Sequence, residues 1–286
     1  MSGILIINKP SGMSSFDVIR NLRKNGIREK TGYVGTLDPM AKGVLPLLSG
    51  KATKLADYFS ATRKSYLAKI LFGKSTDSYD ITGNITEEKT DFVMPDVKEI
   101  NKTLNEFRGK ICQVPPPISA KKINGKRAYS LFRKGEKVEL QGVEVEIFSI
   151  KNVELYQHEL IIEVYCSKGT YIRSIAHDIG IKLGIPAVLS ALTRTSVGDF
   201  SIEDAVNLDK IQSREDYEKN VKDPSKFLDF AQIIYTDYEK VSHGIFIKNT
   251  YGFENGKIIK VLSPQNKMVA LYKVKDNILK PEAILI

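Results

Sequence analysis

Tryptophan is missing from this chain of 286 residues, cysteine occurs only twice and histidine three times. The two thiols, Cys112 and Cys166, stand far apart, which argues against a disulfide framework and for a reducing compartment. His158, His177 and His243 are equally scattered. No His/Cys cluster has the spacing of a zinc site, so a protein without metal is expected. Long apolar runs are missing too. Residues 4–7 are too few for a signal segment and no longer span follows, so the expectation is a soluble cytoplasmic protein with no membrane partner. The absence of a fixed-period repeat or low-complexity tract excludes solenoids and disordered tails. Acids are in deficit: 34 Asp and Glu stand against 43 Lys and Arg, and the net charge of +9 favours a polyanionic partner such as nucleic acid.

The length allows one large domain or a large and a small one, and the texture of the chain favours two. Residues 4–7 read as a buried strand ending at Lys9-Pro10-Ser11-Gly12, and Ser14-Ser15 then suit a helix cap. Residues 66–72 have strand composition, with Tyr66, Ala68, Ile70 and Phe72 on one face. A short helix is expected over 96–107, and strands over 143–150 and 160–166. Ile172, Ile175, Ala176, Ile179 and Leu183 then make a helical stripe that Gly184-Ile185-Pro186 ends. The charged stretch 209–228 reads as a solvated helix or linker, and the short β-type runs beyond it as a small all-β appendage.

Candidate chemistry lies in three places. Asp38 stands in Gly35-Thr36-Leu37-Asp38-Pro39-Met40-Ala41-Lys42-Gly43, a lone acid between glycine-controlled turns. An isolated Asp-Pro is more often a helix start, with Asp as cap and Pro at the first position. Arg173 falls in the first turn of its helix, where the macrodipole disfavours a cation by up to ~1 kcal/mol, so a carboxylate partner is expected. Asp38 is the candidate, and an Arg swung out to solvent is the alternative. The third place is the window 108–137, with nine basic residues against one acid and a net of +8. Interleaved Pro, Gly125, Tyr129 and Phe132 favour a loop that grips phosphates over a plain solvated face. Tyr33, Tyr66 and Tyr171, seen alone, are packing residues. Gly43 to Gly50-Lys51-Ala52 imitates a phosphate loop, but six residues separate the glycines and Ala follows Lys, so nucleoside triphosphate binding is not supported.

Several separated motifs together resemble the TruB family of pseudouridine synthases. They are Asn8-Lys9-Pro10-Ser11-Gly12, the segment 35–54 around Asp38, Lys64-Ser65-Tyr66, and Ser167-Lys168-Gly169-Thr170-Tyr171-Ile172-Arg173. Ser119-Ala120-Lys121 through Tyr129 resembles the family's RNA-gripping insertion, Leu192-Thr193-Arg194 falls in register, and the tail from about 230 resembles a PUA domain. The resemblance implies an α+β fold: a mixed, largely antiparallel sheet in a catalytic domain, 1–228, and a small all-β PUA-like domain, 229–286. It implies a monomeric enzyme that needs no cofactor and isomerises the T-loop uridine of tRNA. Asp38 would be nucleophile at C1′ or base at the 2′ proton, Arg173 would orient it, and Tyr66 would stack on the uracil and take the C5 proton. Tyr33, Tyr171, Leu192, Lys9, Lys121, Lys126 and Arg127 would contact the substrate.

The chain departs from the family pattern at two positions. Tyr33 stands where bacterial relatives usually have His, which keeps a stacking face but not an imidazole, and Ile118 stands where Tyr is common. Two rival readings stay open on the sequence alone: a tRNA-folding chaperone without catalysis, and a guide-RNA-dependent relative.

Overall fold

The computed structural model describes residues 2–60, 62–118, 122–123, 126–127 and 140–286. The N-terminal apolar run forms β1 (Gly3–Lys9), almost entirely buried, and a turn delivers the chain to α1 (Ser15–Lys24). Ser14 caps that helix reciprocally. Its Oγ accepts from the Asp17 amide and Asp17 Oδ2 accepts from the Ser14 amide, at 3.1 Å each. β2 (Thr31–Tyr33) pairs antiparallel with β3 (Lys42–Ser49), and α2 (Ala56–Ser60) precedes β4 (Lys64–Phe72). On β4 the expected alternation holds, with Tyr66, Ala68, Ile70 and Phe72 buried.

A hairpin of β5 (Lys74–Thr76) and β6 (Ile85–Glu88) leads to α3 (Val97–Asn105), capped by Asp96, and then to β7 (Gly109–Gln113). β8 (Lys122–Ile123) pairs with β9 (Lys126–Arg127). β10 (Val143–Tyr156) and β11 (Glu159–Cys166) form a long antiparallel pair, followed by α4 (Ile172–Leu183) and β12 (Ala187–Val197). In α4, Ile172, Ile175, Ala176 and Ile179 are buried, Leu183 is half-buried, and Gly184 at φ 66° ends the helix in the left-handed region.

After β13 (Phe200–Ser201) and β14 (Val206–Asn207), the charged stretch contains α5 (Arg214–Asn220). It is a helix with a buried anchor, Tyr217. The C-terminal elements are β15 (Ala231–Ile234), α6 (Tyr238–Ser242), β16 (Ile247–Lys248), β17 (Ile258–Leu262), β18 (Met268–Lys275) and β19 (Ile278–Ile284). They form a five-stranded sheet in the order β15-β17-β18-β19-β16, around Ile259, Val261, Tyr272, Val274 and Leu279.

The chain divides into two compact units. One comprises Met1–Asp38, Val44–Ala61 and Asp199–Ile286; the other comprises Pro39–Gly43 and Thr62–Gly198. In the first, β1 lies between β14 and β3, and α1 packs Val18, Ile19 and Leu22 onto Leu5, Ile7, Leu45 and Leu47. The second is built on the order β12-β4-β11-β10-β7, all antiparallel, with α4 against β12 and β4. There the first residues of β3 pair parallel with β12, Lys42 opposite Thr193 and Gly43 opposite Arg194. The sheet is therefore mixed and largely antiparallel.

Candidate active site

In the first unit the sequence builds a support for Asp38 from serine and lysine. Lys9 has no exposed surface, and its Nζ donates to the carbonyls of Pro10 at 2.8 Å and Met13 at 2.5 Å, fixing the turn ahead of α1. Ser15, the first residue of α1, holds the residue before Asp38 by both backbone groups: the Leu37 amide donates to Ser15 Oγ at 2.9 Å, and that hydroxyl donates to the Leu37 carbonyl at 3.0 Å. Asp38 is half-buried, and Pro39 begins a turn rather than a helix. Tyr33 sits on β2 opposite Leu47 and is half-buried against the core cluster of this unit.

In the second unit β4 and β12 bring Tyr66 and Leu192 to one face. Tyr66 stands opposite Arg194, and Leu192 opposite Ala68, so the two are diagonal neighbours. Tyr66 is 7% exposed, Leu192 6% and Arg194 0%. Lys64 lies two positions before Tyr66 on the same face and donates to the Thr62 carbonyl at 3.1 Å. Burial, and then the charge of Arg194, hold its ammonium below the ordinary lysine range. Beside it the buried Cys166 thiol is pushed up to about 11 by desolvation.

Tyr171 and Arg173 are set by the start of α4. Gln113 at the end of β7 grips Tyr171 twice, its Nε2 donating to the Tyr171 carbonyl at 3.0 Å and its Oε1 accepting from the Tyr171 amide at 2.8 Å. Ser174 Oγ donates to the Val114 carbonyl at 2.7 Å. Arg173 is buried, and its Nη1 lies 3.4 Å from Asp80 Oδ2 and 3.0 Å from the Ser78 carbonyl. Asp80 thus supplies a carboxylate that offsets the unfavourable helix-end position, a partner other than the candidate Asp38 that the sequence pointed to.

Sequence reasoning passed over Asp80. Its local trace is Asp77-Ser78-Tyr79-Asp80 followed by Gly83, a polar turn with a second acid three residues after the first, which names no partner. Of the expected RNA-contacting residues, Lys126 and Arg127 lie on β9, and Lys121 lies outside the described residues, as does most of the basic window. Among the described residues no group of three or more His, Cys, Asp and Glu could hold a metal ion.

Comparison with solved structures places the fold. The structure of an H/ACA RNP bound to a substrate RNA containing 2′-deoxyuridine matches with a TM-score of 0.73 at 22% identity, over 99% of this chain and 85% of that one. An archaeal box H/ACA sRNP Nop10–Cbf5 complex matches at 0.70 and 21%, over 99% and 86%. Family models carry the comparison from fold to kind: residues 23–172 match the N-terminal domain of TruB family pseudouridylate synthases, and residues 173–231 the tRNA pseudouridylate synthase B C-terminal domain. The class is therefore that of the pseudouridylate synthases. Within it, the chain belongs to the TruB family. Two relatives, each called tRNA pseudouridine synthase B, are similar over their whole length. The protein of Caldanaerobacter subterraneus subsp. tengcongensis is 36% identical over 99% of both chains, and that of Aquifex aeolicus 37% identical over 100% of both.

Proposed function

We propose that this protein converts the T-loop uridine of tRNA, U55, to pseudouridine. The observation that carries the reading is likeness to tRNA pseudouridine synthase B along the whole chain rather than over one motif. The reaction breaks the N1–C1′ bond of the nucleotide and forms C5–C1′, with no change of oxidation state and no cofactor required. The target base must leave its stack to be detached and turned. Asp38 is the catalytic carboxylate, attacking C1′ or removing the 2′ proton, and its support by Ser15 through Leu37 suits a group that must be held in place. Arg173 orients Asp38, Tyr66 stacks on the uracil and takes the C5 proton, and Tyr171 and Leu192 line the pocket. Tyr33 and the basic window with Lys121, Lys126 and Arg127 contact the T-arm, whereas Lys9, expected there too, has no exposed surface and holds the turn ahead of α1 instead; residues 229–286 form a PUA-like RNA-binding domain after a catalytic domain of 1–228.

The test is incubation of the purified chain with uridine-containing tRNA, followed by mapping of pseudouridine. A product at U55 without guide RNA or accessory protein is the expected outcome. Binding without conversion would leave a tRNA chaperone, and conversion only with a guide RNA would leave the guide-dependent class.

A further inference from the structure

The turn of residues 77–83 holds Arg173 through the Ser78 carbonyl and the Asp80 carboxylate, and it has a peculiar backbone. Tyr79 lies at φ 63°, a left-handed conformation that a bulky side chain rarely adopts. Such a conformation persists where the surroundings over-determine it. Here they do so from three sides. The Tyr79 amide donates to the Thr76 carbonyl at 3.2 Å, closing the turn. Its carbonyl accepts from the Leu189 amide at 3.1 Å while the Ile81 amide donates to the Leu189 carbonyl at 3.0 Å, which ties the turn to β12. Its ring stacks on His177 of α4 with centroids 3.8 Å apart and planes 8° from parallel.

The third tie reaches the helix that carries Arg173. His177 follows Arg173 by four residues, one helical turn, so ring and guanidinium project from neighbouring positions on α4. Tyr79 likewise stands between two groups that hold Arg173, the Ser78 carbonyl and the Asp80 carboxylate. The oxygens of Asp80 are divided accordingly. Oδ1 accepts from Ser78 Oγ at 3.0 Å, the Thr82 amide at 3.0 Å and Thr82 Oγ1 at 2.5 Å, all within the turn, and Oδ2 faces Arg173. The carboxylate is therefore fixed to the turn, and the turn is fixed to α4 by the aromatic stack.

We infer that Tyr79 and His177 form an aromatic clamp that sets the position of Arg173 for catalysis, Tyr79 and His177 being positioning residues that act through Asp80 and Ser78. The inference rests on the proposed reaction, in which Arg173 serves pseudouridine formation. The clamp and that reaction fail separately when two quantities are measured. The first is hydrogen exchange of the amides of residues 77–83, which needs no activity. Tyr79→Asn, which tolerates the left-handed backbone but lacks the ring, and His177→Ala should both speed exchange there, while Tyr79→Phe and His177→Phe keep the stack and the wild-type pattern. The second is single-turnover conversion of U55 beside tRNA affinity. Tyr79→Asn and His177→Ala should each slow conversion by about tenfold or more with affinity within about twofold, because misplacement of a positioned group costs rate rather than binding. The two changes combined should cost no more than either alone, since they break one shared stack. Unchanged exchange in Tyr79→Asn overturns the clamp. Faster exchange with undiminished conversion overturns its catalytic role, as does failure of both Phe variants to restore the rate. A wild-type chain that does not convert tRNA overturns the proposed reaction and, with it, the catalytic role, while the exchange result still decides whether the clamp exists.

Discussion

Leu37, the residue before Asp38, has its backbone bound on both sides by Ser15. Replacing Asp38 by Asn keeps that support and the side-chain shape while removing the carboxylate. Turnover of Asp38→Asn should be abolished and tRNA affinity should stay within a few-fold; retention of even a tenth of the wild-type rate in a single-turnover assay would place the catalytic carboxylate elsewhere. Tyr33 separates two roles in the same way. Stacking on a base is worth about 1–3 kcal/mol, so Tyr33→Ala should weaken engagement of tRNA and of the isolated T-arm hairpin, with Tyr33→His near wild type. Because Tyr33 also packs on the core of its unit, the melting temperature must be recorded alongside. Reduced stability with normal binding and turnover would make it a packing residue. At this scale the segments around Asp38 and Arg173 stood out because glycines punctuate a lone acid and an arginine at a helix start, whereas Tyr66, alone a packing residue, was picked out only by the resemblance to the TruB family. Asp80 was not, because its meaning depends on a side chain 93 residues away in the sequence, and no local pattern announces such a pairing.

Among elements, the meeting of β3 with β12 is the most tightly specified. Gly43 lies at φ 109°, and a Cβ there would stand 2.2 Å from the Arg194 carbonyl oxygen. Gly43→Ala should therefore lower stability by more than about 2 kcal/mol in urea unfolding, and an unchanged midpoint would mean that the strands can part without cost. The basic window acts as an element of another kind. Replacing Lys121, Lys122, Lys126 and Arg127 by Ala should flatten the salt dependence of tRNA binding by roughly 0.7–0.9 log units for each phosphate that is no longer neutralised, and an unaltered slope would make the window a solvated face. Strands with strong apolar alternation, β4 and β11, were legible in the sequence. β10 was legible only to about its middle. Its second half, Lys151 to Tyr156, has no buried residue and carries a register shift between Asn152 and Glu154, so only pairing with β11 makes it a strand. The charged stretch before β15 was ambiguous for the opposite reason: one buried residue, Tyr217, anchors a helix whose other side chains face water.

For the molecule as a whole, one carboxylate sets a pH dependence of stability. Desolvation pushes Asp178 of α4 up to about 6 from its ordinary 3.8, with the nearby Lys182 opposing it. The folded state therefore binds this proton more tightly than the unfolded chain does. The group's contribution to stability is fully present below 3.8, declines as pH rises to about 6, and is absent above that. Asp178→Asn should stabilise the protein at pH 7.5 by about 1–2 kcal/mol after allowance for solvent screening, and the gain should shrink towards zero below pH 4. A gain that does not change with pH would show that the amide helps for another reason. At this largest scale the mixed sheet was expected only from the resemblance to the TruB family, and the C-terminal β-rich region was visible in the sequence through its change of texture. The joining of Met1–Asp38 to Asp199–Ile286 was not, because a compact unit assembled from both ends of a chain leaves no trace in local pattern.

The two thiols end in opposite chemical states. Cys166 is fully buried with its ionisation suppressed, whereas Cys112 is exposed on β7. A maleimide should then react at one position only, without any engineered cysteine. That position lies within the basic window, near its start, which gives the native protein a built-in attachment point for a fluorophore to test whether RNA arrives there.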